Sequence, residues 1–466
     1  MNSPFNKKKY SRLLEGLEVS EILLSDLTNM NDRFRIDAEF VKKEYLQIIE
    51  LLECSQFKRL VNTDTQISHP SEIKRDFVED GIWFFRTQNL RPLKIEKSND
   101  VYISQDDATR LKNNEIKYGD VLITRTGANY GQTAVYNLDE KAIASSHVLI
   151  LRNTFFNQFY LATFFNTKYG RKMIDKGMYG AAQPEISPYY ILNIPIPIFS
   201  EPTQKAIENN YKKSELKIKQ SYFLYNQAED LLLEAIGFKN LRLNTKTTNI
   251  KTFKKSFLVT GRLDAEYYQP KYENYIKLIK KYPNGFEPLQ TACNLKDGNF
   301  TPENAIEYQY IELADIGKSG NITGCTLAQG SELPSRARRM VSMNDVIVSS
   351  IEGSLESCAL VTENYDNALC STGFYVIDSH FINSETLLVL FKSEVMQNIL
   401  KQNCSGTILT AINKTEFSQI PVPLINKATQ RQIGALIQKS FALRAESERL
   451  LEEAKALVEQ EIERTT

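Results

Sequence analysis

At 466 residues the chain is too long for one ordinary hydrophobic core, so two or more domains are the default. Apolar residues at 42% and charged residues at 24% give the balance of a globular protein, and no apolar run approaches the roughly 20 residues of a membrane-crossing helix. The 57 basic residues are matched by 57 acidic ones, which excludes a globally basic nucleic-acid binder and leaves that role to local faces.

The chain opens on "MNSPFNKKKYSRLLEG", a basic cluster without the apolar run of a secretory signal. Six cysteines are scattered without a C-x-x-C pair, so they read as reduced thiols rather than a disulfide frame or zinc site. A cytoplasmic protein without membrane contact is expected. A first globular region, placed at 1–202, alternates short apolar runs ("WFFR", "DVLITR", "TAVY", "HVLILR") with Gly- and Asn-containing turns, and includes a helical stretch, "FYLATFFNTKYGRKMI". From Thr203 to Ile236 no proline occurs, and Gly237 stands where a glycine would stop a helix. Ile207, Tyr211, Ser214, Ile218, Ser221, Tyr225, Ala228 and Leu232 recur there at steps of four and three, the spacing of a coiled coil. A second region, 238–428, repeats the strand pattern ("YQYIEL", "DVIVSS", "CALVT", "GFYVID"), and a second helix is placed at 429–466. It carries Leu436, Leu443, Leu450 and Leu457 at strict sevens, flanked by Ile433, Ser440, Ser447 and Ala454. The fold class is α+β, mainly antiparallel.

The two regions are copies. "IPIPIFSEPTQKAI" (Ile194–Ile207) returns 226 positions later as "IPVPLINKATQRQI" (Ile420–Ile433). Gly180 meets Gly406, and Ile186 meets Ile412, at the same offset. "RIDAEF" (Arg35–Phe40) returns as "RLDAEY" (Arg262–Tyr267) with a slip of one. A period this long means two tandem domains, each followed by a long helix, and antiparallel pairing of the helices would relate the domains by a pseudo-two-fold axis. If the helices pair antiparallel, a helix of about 34 residues gives a rod of roughly 50 Å, long enough to hold two readers more than one turn of duplex DNA apart.

Recognisable catalytic signatures are missing. "DIGKSGN" has Glu312 where a phosphate loop needs its first glycine and reads as a polar turn. "SPYY" (Ser187–Tyr190) lacks the amide of an adenine-methyltransferase loop and reads as a helix start, and "EIK" (Glu115–Lys117) has no companion carboxylate for a metal-dependent nuclease. His69, His147 and His380 are scattered along the chain. What remains is polar side chains at strand ends and turns. Arg86, Gln88 and Asn89 in "RTQN", and Arg125, Thr126, Asn129, Tyr130 and Gln132 in "TRTGANYGQ", with Gln183, are types that read base edges. The second copy offers Glu312, Asp315, Lys318, Arg336, Arg338, Arg339, Ser350 and Ser354. Arg86 stands against Glu312 and Gln88 against Ala314; two copies that read different sequences diverge in this way, and so do loops that drift without a role.

With "YGDVLITRTGANYGQTAVY", the doubled "IPxP…TQ" junction and "GRLDAEYYQPKY", the chain resembles the specificity (S) subunits of type I restriction-modification systems over essentially its whole length. The resemblance implies two target recognition domains reading a bipartite double-stranded DNA site across a coiled-coil spacer. It implies a chain without catalysis or cofactor of its own. Two modification (methyltransferase) subunits would dock along the helices, whose stripe includes Ile207, Tyr211, Ile218, Tyr225, Leu232, Ile433, Leu436, Leu443, Leu450 and Leu457. S-adenosylmethionine, ATP and Mg are expected in those and in the restriction subunits. The second copy departs from the family's loop, since "SSIEGSLES" has no Arg in the place of Arg125 and no Gly in that of Gly131. The competing readings are a coiled-coil interaction scaffold that does not read DNA, and a stand-alone nuclease or methyltransferase.

Overall fold

The computed structural model describes residues 7–28, 33–97, 100–238, 248–406 and 410–464; the first six residues of the amino-terminal basic segment lie outside these. The chain divides into two compact units, one of residues 1–216 with 446–466 and one of residues 217–445. Both long helices therefore contribute to both units.

In the first unit a four-stranded antiparallel sheet runs Thr133–Val135, Val121–Thr124, Val148–Arg152, Gln66–Ser68. In the second, the order Cys358–Leu360, Val346–Ser349, Phe374–Asp378, Asn294–Leu295 repeats it strand for strand. The central strands are β-branched and aliphatic runs buried on both faces, such as Val121–Thr124 and Val346–Ser349. A further sheet in each unit contains one parallel pair, Ile82–Phe85 with Ala142–Ala144 and Glu307–Ile311 with Leu369–Ser371. All other ladders among the described strands are antiparallel. The strands expected from alternation fall where they were placed, to within one or two residues.

The helical stretch after the first sheet is two helices, Gln158–Asn166 and Lys168–Gly177, rather than one. Thr167 is extended between them, and its hydroxyl accepts from the Gly170 amide to start the second. Ser393 breaks the equivalent pair, Ser384–Lys392 and Glu394–Asn403, by the same cap onto Met396. Ser187 opens the helix Pro188–Asn193, with proline at the first helical position.

The repeated lead-in is a bracket. Arg35 pairs with Asp37 through both guanidinium ends and donates to the carbonyls of Lys176 and Met178. Arg262 does the same with Asp264 and the carbonyl of Cys404. The repeated junction closes each unit. Pro195–Pro197 pairs with Phe57–Arg59, and Pro421–Pro423 with Phe286–Pro288. The glutamine that follows then locks the helix start: Gln204 Oε1 accepts from the Asn157 amide and Nε2 donates to the Phe199 carbonyl. Gln430 accepts from Asn383 and donates to Ile425 and Phe381.

The long helices span Glu201–Ala235 and Lys427–Glu463, each beginning two residues before the expected threonine. Ser200 and Asn426 cap the amides of Thr203 and Thr429, and Pro202 is tolerated because the first turn needs no amide donor there. Gly237 ends the first helix in the left-handed region, φ 79°. In the first unit Ser214 meets Ser447 at 2.7 Å, while Ile207 and Tyr211 share a core with Leu451, Ala454 and Val458. In the second, Ser221 meets Ser440 at 2.9 Å, and Ala228 and Leu232 share a core with Ile433 and Ile437. Within each unit, rising numbers on one helix meet falling numbers on the other, so the pairing is antiparallel. Small residues along the seam let the backbones approach closely, and paired hydroxyls satisfy each other where water is excluded.

One expectation is corrected. The seam of the second helix is the row Ile433, Ser440, Ser447 and Ala454, interleaved with Ile437, Arg444, Leu451 and Val458, all buried. Leu436, Leu443 and Leu457 lie beside it half-buried. A heptad count cannot separate two adjacent rows of the same period. Ile207, Tyr211, Tyr225, Leu232, Ile433 and Leu450 are buried within this chain, and Ile218 is half-buried. A partner docking along the helices would thus meet their outer faces.

Candidate nucleic-acid interface

Each unit carries the same backbone frame at the end of its central strands. In the first, Arg125 N–H donates to the His147 carbonyl at 2.8 Å, Ile186 N–H donates to the Arg125 carbonyl at 3.0 Å, and Thr126 bridges Glu185. In the second, Ser350 N–H donates to Gly373 at 2.8 Å, Ile412 N–H donates to Ser350 at 2.8 Å, and Ile351 bridges Ala411. Slot for slot, Arg125 answers to Ser350, Thr126 to Ile351, His147 to Gly373 and Glu185 to Ala411. The frame is kept while its charged and polar side chains are replaced by small or apolar ones.

In the first unit these side chains form a cluster. Arg125 pairs with Glu185, and its Nη1 lies 2.7 Å from His69 Nε2. Burial and the neighbouring Arg125 charge push the His69 pKa down, so the ring stays neutral and accepts. Burial likewise lowers the Arg125 pKa. Thr126 Oγ1 lies 2.7 Å from His147 Nδ1. Ser146, next in the chain, bonds Glu72, which also pairs with Arg75, and the Arg75 guanidinium sits over the Phe84 ring at 4.1 Å. Arg33 lies over the Tyr179 ring at 4.8 Å and donates to its hydroxyl. His69 and His147, 78 positions apart in the chain, thus flank Arg125. Neither was a candidate from sequence, and the only signal available was their repeat partners, which do not match.

The expected readers divide. Asn129 and Gln183 are exposed on the loops around this cluster; in the second unit, Lys318 and Arg336 are exposed. Arg86 and Gln88 are half-buried on one turn. Arg336 is tied to Glu312 at 2.7 Å and to the Tyr310 hydroxyl; Arg338 holds the Ser335 carbonyl and Arg339 that of Asp297.

Several candidates are internal fasteners instead. Asn89 is fully buried: its Oδ1 accepts from the Arg86 amide, and its Nδ2 donates to the Glu96 carbonyl and to Asp100. Asp315 closes the matching turn by accepting from the Glu312 amide, and burial raises its pKa. Tyr130 donates to Asp175 at 2.9 Å under the Arg171 guanidinium, so its ring is covered. Gln132 is half-buried with its carbonyl oxygen enclosed. Ser350 donates to the Gly373 carbonyl, and Ser354 meets Ser349 at 3.0 Å. Asx and Ser side chains at turns serve the local backbone first, which is why composition alone made them look like readers.

No cluster of three or more potential metal ligands occurs among the described residues, and no described helix is long and apolar enough to cross a membrane.

Comparison with known proteins finds no matching family model and no matching curated protein. Among solved structures, the type I restriction-modification S subunit of M. genitalium is similar at 12% identity and a TM-score of 0.40, over 86% of this chain and 94% of that one. The HsdS subunit of Thermoanaerobacter tengcongensis is similar at 13% identity and a TM-score of 0.26, over 87% and 95%. A chain from a structure describing complex assembly and conformational transition of the type I R-M system is similar at 14% identity and 0.29, over 87% and 97%. The first two of these structures are described as S (HsdS) subunits, the first of them from a type I restriction-modification system.

Proposed function

We propose that the chain is the non-catalytic specificity subunit of a type I restriction-modification complex, with two recognition domains reading the two halves of a split DNA site. The observation that carries this is the doubled backbone frame with unlike side chains: one scaffold, two chemistries. The paired helices act as the spacer that sets the gap between half-sites, and their outer faces carry the two modification subunits. Those subunits supply S-adenosylmethionine chemistry; restriction subunits add ATP- and Mg-dependent cleavage.

The test is adenine methylation across a genome in cells holding the modification partner, with and without this chain. Methylation of one split motif that depends on the chain is expected, and exchanging Lys42–Phe199 for another family member's segment should change one half of it. If no motif depends on the chain while the partner is active, the DNA-reading function is wrong and the interaction scaffold takes its place.

A further inference from the structure

We propose that His147 is a base-reading side chain of the first recognition domain, positioned by Thr126 and by the Arg125–Glu185 pair. This rests on the DNA-reading function above and names the residue through which one half-site is read.

The His147 ring is exposed while its anchor is not: Thr126 is 8% exposed, and its hydroxyl has His147 Nδ1, at 2.7 Å, as its hydrogen-bond partner. Were the hydroxyl not donating there, its proton would be buried without an acceptor, a costly arrangement. Nδ1 therefore accepts, and in the neutral ring the proton sits on Nε2, which has no bond among the described residues. The result is an oriented N–H donor at a loop tip.

The loop is held from both sides. Its carbonyl at His147 takes the Arg125 amide, and Ser146 is tied to Glu72. Arg125, one of the base-reading candidates in the sequence, is occupied by Glu185 and His69. Its charge is neutralised there, so it is a positioning residue. A directional donor beside a neutralised pair suits an acceptor on a base edge, such as purine N7 or guanine O6, better than a phosphate, which calls for net positive charge.

The second unit supports this by contrast. Its frame is the same, but the His147 slot is Gly373 and the Thr126 slot is Ile351. A Cβ on Gly373 would meet Ile351 Cδ1 at 3.4 Å, ordinary contact, so the backbone does not require glycine there. The slot accepts a side chain in one reader and omits it in the other.

The experiment is methylome sequencing with full-length His147→Ala and, separately, Gly373→His, each beside the modification partner. For His147→Ala, one base position in one half-site should lose discrimination by roughly tenfold or more, with the other half-site intact. Thr126→Val should weaken the same position less. Gly373→His should alter preference only in the opposite half-site. An unchanged motif, or a uniform fall in methylation at every site, overturns base reading by His147; the second outcome would mark a phosphate contact. If the alanine variant does not accumulate, His147→Gln is scored by the same two outcomes. Should the wild-type chain direct no motif at all, the failure lies with the DNA-reading function and not with His147.

Discussion

The junction glutamines allow a quantitative prediction because the two copies are bonded unequally. Gln430 is 3% exposed and makes three side-chain bonds, from the Asn383 amide at 2.9 Å and to the Phe381 and Ile425 carbonyls at 2.8 and 2.6 Å. Gln204 is half-buried and makes two, at 3.2 and 3.0 Å. Gln430→Ala strands one amide and weakens two carbonyls in a site with little room for water, a loss of about 3 kcal/mol. Gln204→Ala should lose about 1 kcal/mol, since solvent reaches the groups it leaves. For units of this size each kcal/mol moves the unfolding temperature by about 2–4 °C, so about 6–12 °C is expected for the first variant and about 2–4 °C for the second. Calorimetry of the full chain would read the shifts. Amide exchange would place them, around Asn383 for one variant and around Asn157 for the other. Equal shifts, or a Gln430→Ala change under about 0.5 kcal/mol, would show that the junction is held by its strand pairing and not by the glutamine.

Three further outcomes are expected. Lys176 is buried with its ammonium over the Phe40 ring and bonded to the Phe40 carbonyl, and burial, followed by the Arg35 charge, pushes its pKa down to about 7. Because the unfolded chain keeps that proton to about pH 10.4, it binds more protons than the folded chain between those values. Stability should therefore rise with pH across this window, by up to about 1.4 kcal/mol per unit; urea titrations of Lys176→Gln, which copies Gln402 of the other unit, should lose this slope. Gly177→Ala would drive a Cβ into the Tyr190 ring, whose hydroxyl is itself committed to the Met173 carbonyl, so a loss of roughly 1–3 kcal/mol or more is expected in thermal melts. Ser440→Leu should overpack the helix seam at its contact with Ser221 by about 1–3 kcal/mol, whereas Leu443→Ala, on a half-buried flank, should cost clearly less; the reverse order would put the seam on the leucine row.

Much of the architecture was legible in the chain because it rests on local periodicity. Alternation marked the strands of both units, the step of four and three marked the buried face of the first helix, and the 226-position offset announced two copies. Thr167 was not legible as a break, because a threonine inside an amphipathic run reads as helix until its hydroxyl is seen capping the next turn. The leucine row misled for a related reason: which of two adjacent rows faces a partner depends on how the helix is rotated against it.

The sequence by itself determined the repeat, the element order and the antiparallel class, since each follows from residue spacing along one segment. Only the tertiary structure decided what the polar residues do. It sent Asn89 and Asp315 inward to close turns, covered Tyr130, tied Arg125 to Glu185, and brought His69 and His147 to the same frame from distant strands. A polar side chain's role is set by which partners reach it first, and buried backbone amides and carboxylates compete with any ligand. That competition is between groups far apart in the chain, so only the folded chain resolves it.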